Sequence, residues 1–132
     1  MPPKKVNWLQ RTAQGNDLFS GNCGMYAIAL GKKAQEAGKN VVMVVCSNED
    51  SLDELLDGEP TVYHIAAEID GIMYDGSGKT TLQKLGEFSA ATYGDHQPKC
   101  SFIALDDVFI RFVRTQTDWS VGWEEYYKQL AG

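Results

Sequence analysis

Three residues in this chain have the types and spacing to do chemistry together: Cys23, His64 and Asp75. Cys23 stands between the turn formers Ser20, Gly21 and Asn22 and a run, Met25 to Ala37, that reads as helix. Ser20 or Asn22 can cap that helix, so Cys23 falls in or beside its first turn. The partial positive charge at a helix N-terminus stabilises a thiolate and lowers the pKa of a thiol placed there. His64 follows within the strand pattern Tyr63-His64-Ile65, and Asp75 closes the next strand. A thiolate nucleophile, an imidazole that takes and returns its proton, and a carboxylate that orients the imidazole are the parts of a Cys-His-Asp nucleophilic site. Each residue also has a plainer role open to it. A lone cysteine is usually a small buried hydrophobe, a strand histidine is often a hydrogen-bonded structural residue, and an Asp before Gly76 is a turn former.

The elements that must position these groups are legible around them. Thr61 to Ile69 alternates in polarity, Asp70-Gly71 is a two-residue hairpin signal, and Ile72 to Asp75 returns. Counting from that turn, Ile69 faces Ile72, Ala67 faces Tyr74 and Ala66 faces Asp75. Tyr63, Ile65, Ala67, Ile69, Ile72 and Tyr74 then share a core face, and His64, Ala66, Glu68, Met73 and Asp75 share the other. His64 and Asp75 become diagonal neighbours, roughly 7 Å apart at Cα, and a one-residue slip would separate them. In the leading helix, Ala27, Leu30, Ala34 and Ala37 form a small-residue face suited to close packing. Val41 to Cys46 is a continuous, largely β-branched run, expected as a buried strand. Val6 to Leu18 reads as an extended lead-in and Ser47 to Leu56 as a short acidic helix or loop. Gly76 to Lys79 reads as a turn, Thr80 to Ala91 as a helix, Gly94 to Lys99 as a loop and Ser101 to Leu105 as a strand. Asp106-Asp107 can cap a helix to about Arg114, although Val108, Ile110, Phe112 and Arg114 would also alternate as a strand, and Asp118 or Ser120 can begin a last helix carrying Trp123, Tyr126, Tyr127 and Leu130. The expected fold is α+β, one domain over residues 1–132: a cysteine-bearing helix packed on a small antiparallel sheet that carries the histidine and the aspartate.

Composition narrows the function classes. The 43% hydrophobic fraction suits an ordinary globular core, and the net charge of −6 argues against a nucleic-acid backbone as partner. No apolar run approaches the roughly 18 residues of a membrane span, and the basic start lacks the apolar stretch of a signal peptide. Three cysteines, Cys23, Cys46 and Cys100, widely spaced, suit free thiols in a reducing cytoplasm. Cys46 reads as a buried hydrophobe, Cys100 has no catalytic context, and His96 lies in a polar loop. With no CxxC pair and two distant histidines, neither a metal nor an organic cofactor is expected. The aromatics Trp119, Trp123, Tyr126 and Tyr127 read as core and rim of the last helix, with a protein-partner surface as the sharper alternative.

The block Gly21-Asn22-Cys23-Gly24-Met25-Tyr26-Ala27, with Tyr63-His64-Ile65 and Ile72-Met73-Tyr74-Asp75-Gly76, resembles papain-like cysteine peptidases. The cysteine block is similar to that of ovarian-tumour-type deubiquitinases, with Ser20 where those carry Asp, and the compact histidine hairpin is closer to small bacterial and phage papain-like hydrolases. The resemblance spans about residues 14–80. It implies cleavage of a peptide, isopeptide or amide bond in a peptide, protein or amide substrate through an acyl-enzyme, with Cys23 as nucleophile, His64 as base and then acid, and Asp75 as orienter. Such families pair the cysteine's backbone N–H with an upstream side-chain donor. Asp17 stands where papain has its glutamine, which leaves Gln14, Asn16 and Asn22 as oxyanion candidates. A non-catalytic papain-like binding module is the alternative. A third reading, nucleotide binding, comes from Gly76-Ser77-Gly78-Lys79-Thr80-Thr81, which copies the end of a P-loop, while Phe102 to Asp107 resembles a Walker B strand. Met73 stands where the first P-loop glycine belongs, so a glycine turn capping a helix is favoured.

Overall fold

The computed structural model describes residues 23–49, 51, 55–56, 58, 61–75, 78–116 and 122–131. In chain order these form α1 (Cys23–Glu36), β1 (Val41–Ser47), β2 (Val62–Ile69), β3 (Ile72–Asp75), β4 (Gly78–Thr80), α2 (Leu82–Tyr93), β5 (Lys99–Ala104), α3 (Asp107–Gln116) and α4 (Trp123–Ala131). The class is α+β. The strands make one antiparallel sheet in the order β4-β3-β2-β1-β5.

The β-branched run of β1 sits between β2 and β5, where both of its edges are paired and residues 43–47 are buried. The β2–β3 hairpin turns at Asp70 and Gly71, with φ of 50° and 87°. Positive φ at both central residues matches the right-handed strand twist, which is why an Asp-Gly pair serves here. The register is the one counted from that turn: Ile69 opposes Ile72 and Ala67 opposes Tyr74.

Helices cover both faces of the sheet. On one face, α1, α3 and α4 close a large core that includes Met43, Val45, Ile65, Ala67, Ile69 and Tyr74 from the strands. From Gly24 to Gly31, α1 is buried on every side, because α4 packs on its outer flank as the sheet packs on its inner one. Gly31 makes the close approach possible: a Cβ there would lie 2.7 Å from Leu105 Cδ2 and 3.2 Å from Val41 Cγ1. Asp106 caps α3, its Oδ1 accepting from Phe109 N–H at 3.0 Å. On the other face, α2 seals a smaller cluster of Val44, Cys46, Tyr63, Ala66 and Leu85.

Several expectations are corrected. Ala37 is exposed beyond the end of α1. Ile72 is 43% exposed, at the tip of the hairpin. Gly78 to Thr80 is not a turn but a short edge strand; Thr81 caps the helix, which runs later than expected, to Tyr93. The last strand begins at Lys99. Tyr63 leaves the large core because β2 carries a bulge there: Cys46 pairs with His64 while Ser47 pairs with Val62, which leaves Tyr63 unpaired. A bulge re-aims side chains, and Tyr63 joins His64 on the α2 side. Ser47 belongs to β1; the lead-in at Val6 to Leu18, residues 50 and 52–54, and Asp118, Trp119 and Ser120 lie outside the described residues.

Candidate functional site

His64 and Asp75 meet as the hairpin register requires. His64 Nε2 lies 3.0 Å from Asp75 Oδ2, and the two side chains are only 4% and 5% exposed. A carboxylate only accepts, so Nε2 carries the proton and Nδ1 is the ring nitrogen through which base chemistry would run. The face that carries them is closed: α2 lies over it, and Phe88 sets its ring 5.2 Å from the imidazole. Phe88 and Tyr93 also contact each other, and Tyr93 packs at 4.8 Å on the re-aimed Tyr63. The Tyr63 hydroxyl donates to Asp95 Oδ2 at 2.6 Å. That hydrogen bond pushes the phenol up to about 12 and, with the Gln97 N–H, holds Asp95 below its ordinary value.

Cys23 is the first residue of α1. The helix direction follows from its other half. Gly31 approaches Val41 at the start of β1, and the Gln35 side chain donates to the Leu105 carbonyl at 3.4 Å, just past the end of β5. The C-terminal half of α1 therefore lies over that end of the sheet. Fourteen residues of helix extend about 21 Å, close to the span of seven-residue β1. α1 packs on the face of the large core, and α2 on the face that carries His64. The Cys23 side chain and the oxyanion candidates Gln14, Asn16 and Asn22 lie outside the described residues.

Sequence reasoning missed the row in which His64 stands. In antiparallel strands directly opposed residues share a face, and the registers His64–Cys46 and Cys46–Cys100 form a line across β2, β1 and β5. The Cys46 and Cys100 Sγ atoms are 3.1 Å apart. Cys46 is fully buried. The hydrogen bond to Cys100, then burial, push its thiol up, so it stays protonated and slow toward reagents from solvent although it is the described cysteine that the register brings beside the imidazole. No turn links β1 to β5, so no local signal sets their register. His96 is exposed, as its loop suggested.

The P-loop-like segment takes another geometry. Gly78, Lys79 and Thr80 form β4 antiparallel to β3, whereas a P-loop is the bend between a strand of a parallel sheet and its helix. Lys79, Thr80, Thr81 and Lys84 line a groove of about 370 Å³ beside Ile72. On α4, Tyr126 is buried edge-to-face on Tyr26, Trp123 lies under Lys32, and the Tyr127 hydroxyl donates to Glu36, so these aromatics pack on α1. Among the described residues no three His, Cys, Asp or Glu side chains are grouped to hold a metal, and no helix is long and apolar enough to cross a membrane. Compared with protein-family models, curated proteins and solved structures, the chain finds no match.

Proposed function

We propose that this chain is a cysteine-dependent hydrolase of a peptide, isopeptide or amide bond, built on a papain-like plan and working in a reducing, cytoplasmic setting. The observation that carries the reading is the buried 3.0 Å contact between His64 Nε2 and Asp75 Oδ2. With Nε2 committed to Asp75, His64 takes the Cys23 proton on Nδ1. The thiolate is stabilised by the N-terminus of α1 and by the imidazolium, whose charge Asp75 offsets. Thiolate attack on the substrate carbonyl expels the amine, which receives the proton back from His64. A water molecule, deprotonated by the same nitrogen, then releases the acid and restores the thiol.

One observation favours a second reading, a non-catalytic binding module. His64 is 3% exposed and lies under Phe88, as suits a histidine whose work is to satisfy Asp75 inside a closed layer.

Brief iodoacetamide labelling near neutral pH, read by peptide mass spectrometry, separates the two. Under the hydrolase reading Cys23 alkylates fast, and His64→Ala slows it about tenfold or more by returning its pKa toward that of an ordinary thiol. A Cys23 rate that His64→Ala leaves unchanged removes the nucleophile–base pair and puts the binding module first.

A further inference from the structure

The row behind His64 contains a second reactive arrangement, and it stands without the hydrolase reading. β1 and β5 set Cys46 and Cys100 directly opposite each other, with their sulfurs 3.1 Å apart. Opposed residues of antiparallel strands have Cα atoms about 4.5–5.5 Å apart, within the range that a disulfide spans. The two thiols are not equivalent. Cys46 is sealed beneath α2 in a cluster with Val44, Ala66 and Leu85, whereas Cys100, on the edge strand, is partly exposed. A partly exposed thiol backed by a buried one within hydrogen-bond distance is the layout of an attacking and a resolving cysteine.

We propose that Cys46 and Cys100 form a peroxide-responsive dithiol, in which Cys100 is oxidised first and Cys46 resolves it to a disulfide bridging β1 and β5. With the more deeply buried Cys46 holding the proton, its S–H donates to the Cys100 sulfur, and that hydrogen bond favours the Cys100 thiolate and lowers that thiol while Cys46 is pushed up. In the first step the Cys100 thiolate attacks one oxygen of a hydroperoxide. The S–O bond forms, the O–O bond breaks, and the other oxygen leaves as water or alcohol after taking a proton. In the second step the Cys46 sulfur attacks the Cys100 sulfenic sulfur. The S–S bond forms, the S–O bond breaks, and the departing hydroxide takes the Cys46 proton to leave as water. Two thiols and one hydroperoxide give one disulfide, one water and one further water or alcohol, and the two electrons pass from sulfur to the peroxide. Because Cys46 is the register partner of His64, the new bond lies beside the His64–Asp75 pair.

The test treats the reduced full chain with a small excess of hydrogen peroxide, blocks remaining thiols with N-ethylmaleimide, and maps peptides without reduction. The expected product in the wild-type chain is an intramolecular Cys46–Cys100 peptide pair that dithiothreitol reverses. Cys46→Ser should instead accumulate a dimedone-trappable sulfenic acid at Cys100, and Cys46→Ala, which removes the donor, should make Cys100 alkylate about tenfold slower at neutral pH. The wild-type map decides the matter even if a variant folds poorly. Linkage through Cys23, or Cys100 passing to sulfinic and sulfonic acids while Cys46 stays reduced, overturns the proposal.

Discussion

Removing the Asp75 carboxylate should destabilise the protein and uncouple His64 in a way that can be sized from their contact. Asp75 and His64 are 5% and 4% exposed at the side chain and bonded at 3.0 Å, so little water replaces either partner. A hydrogen bond to a charged group contributes about 1.5–3 kcal/mol net, and removing one member of a buried pair costs about 3–5 kcal/mol because the other is left desolvated. Asp75 closes a strand at the sheet's end, which favours the lower part of that range, so Asp75→Ala should cost about 3 kcal/mol. For 132 residues an unfolding entropy of about 280 cal/mol/K converts this to a melting shift of about 10 °C. Asp75→Asn should cost about 1 kcal/mol, since the amide oxygen still accepts from Nε2–H. The decisive measurement is the cycle of Asp75→Ala, His64→Ala and the double variant by urea unfolding. Residues in contact should show a coupling of about 1.5 kcal/mol or more, the double variant costing that much less than the sum of the singles. Coupling below about 0.5 kcal/mol, the level at which separated sites simply add, would refute the pairing.

Two further outcomes follow from other parts of the fold. Gly31→Ala should change stability little, because its Cβ meets the flexible end of Leu105 while helix propensity improves by about 1 kcal/mol, whereas Gly31→Val also drives into Val41 and should cost about 2–3 kcal/mol in urea midpoints. The thiol pair should give reduced protein a stability maximum in pH. Cys100 is lowered in the native state by its hydrogen bond to Cys46, so as pH rises toward the ordinary 9.0 the unfolded chain binds more protons and stability rises; above 9.0 the native state retains the Cys46 proton that the unfolded chain has lost, so stability falls again. Urea midpoints measured across this window should lose that maximum in Cys100→Ser, and an unaltered profile in the variant would refute the thiol-pair assignment.

The hairpin was legible because its turn is local. Asp70-Gly71 accepts the positive φ that a two-residue turn imposes, and once the turn is fixed every register position follows, including the diagonal between His64 and Asp75. The cysteine at the start of α1 was legible for a similar reason, since caps and helix periodicity act over a few residues. What escaped depends on partners far along the chain. The bulge at Tyr63 arises between β2 and β1, the closure of the second face depends on α2, and the Cys46–Cys100 contact needs a register set by sheet assembly. Alternation along β2 could show that His64 faces away from Ile65; it could not show that Phe88 would cover it.

The stability cycle and the labelling experiment answer different questions about one contact. Coupling between Asp75 and His64 is expected whether the pair orients a catalytic base or simply satisfies a closed layer, because both readings share the 3.0 Å bond. Only the hydrolase reading makes Cys23 reactivity depend on His64, since a base lowers a thiol's pKa only from within hydrogen-bond reach. Cys100 supplies the internal control. Its thiolate is sustained by the Cys46 S–H, so its alkylation should be fast in the wild-type chain and indifferent to Asp75→Asn, whose amide preserves the packing around the imidazole. A variant that slows Cys23 and spares Cys100 has removed a base; one that slows both has loosened the sheet.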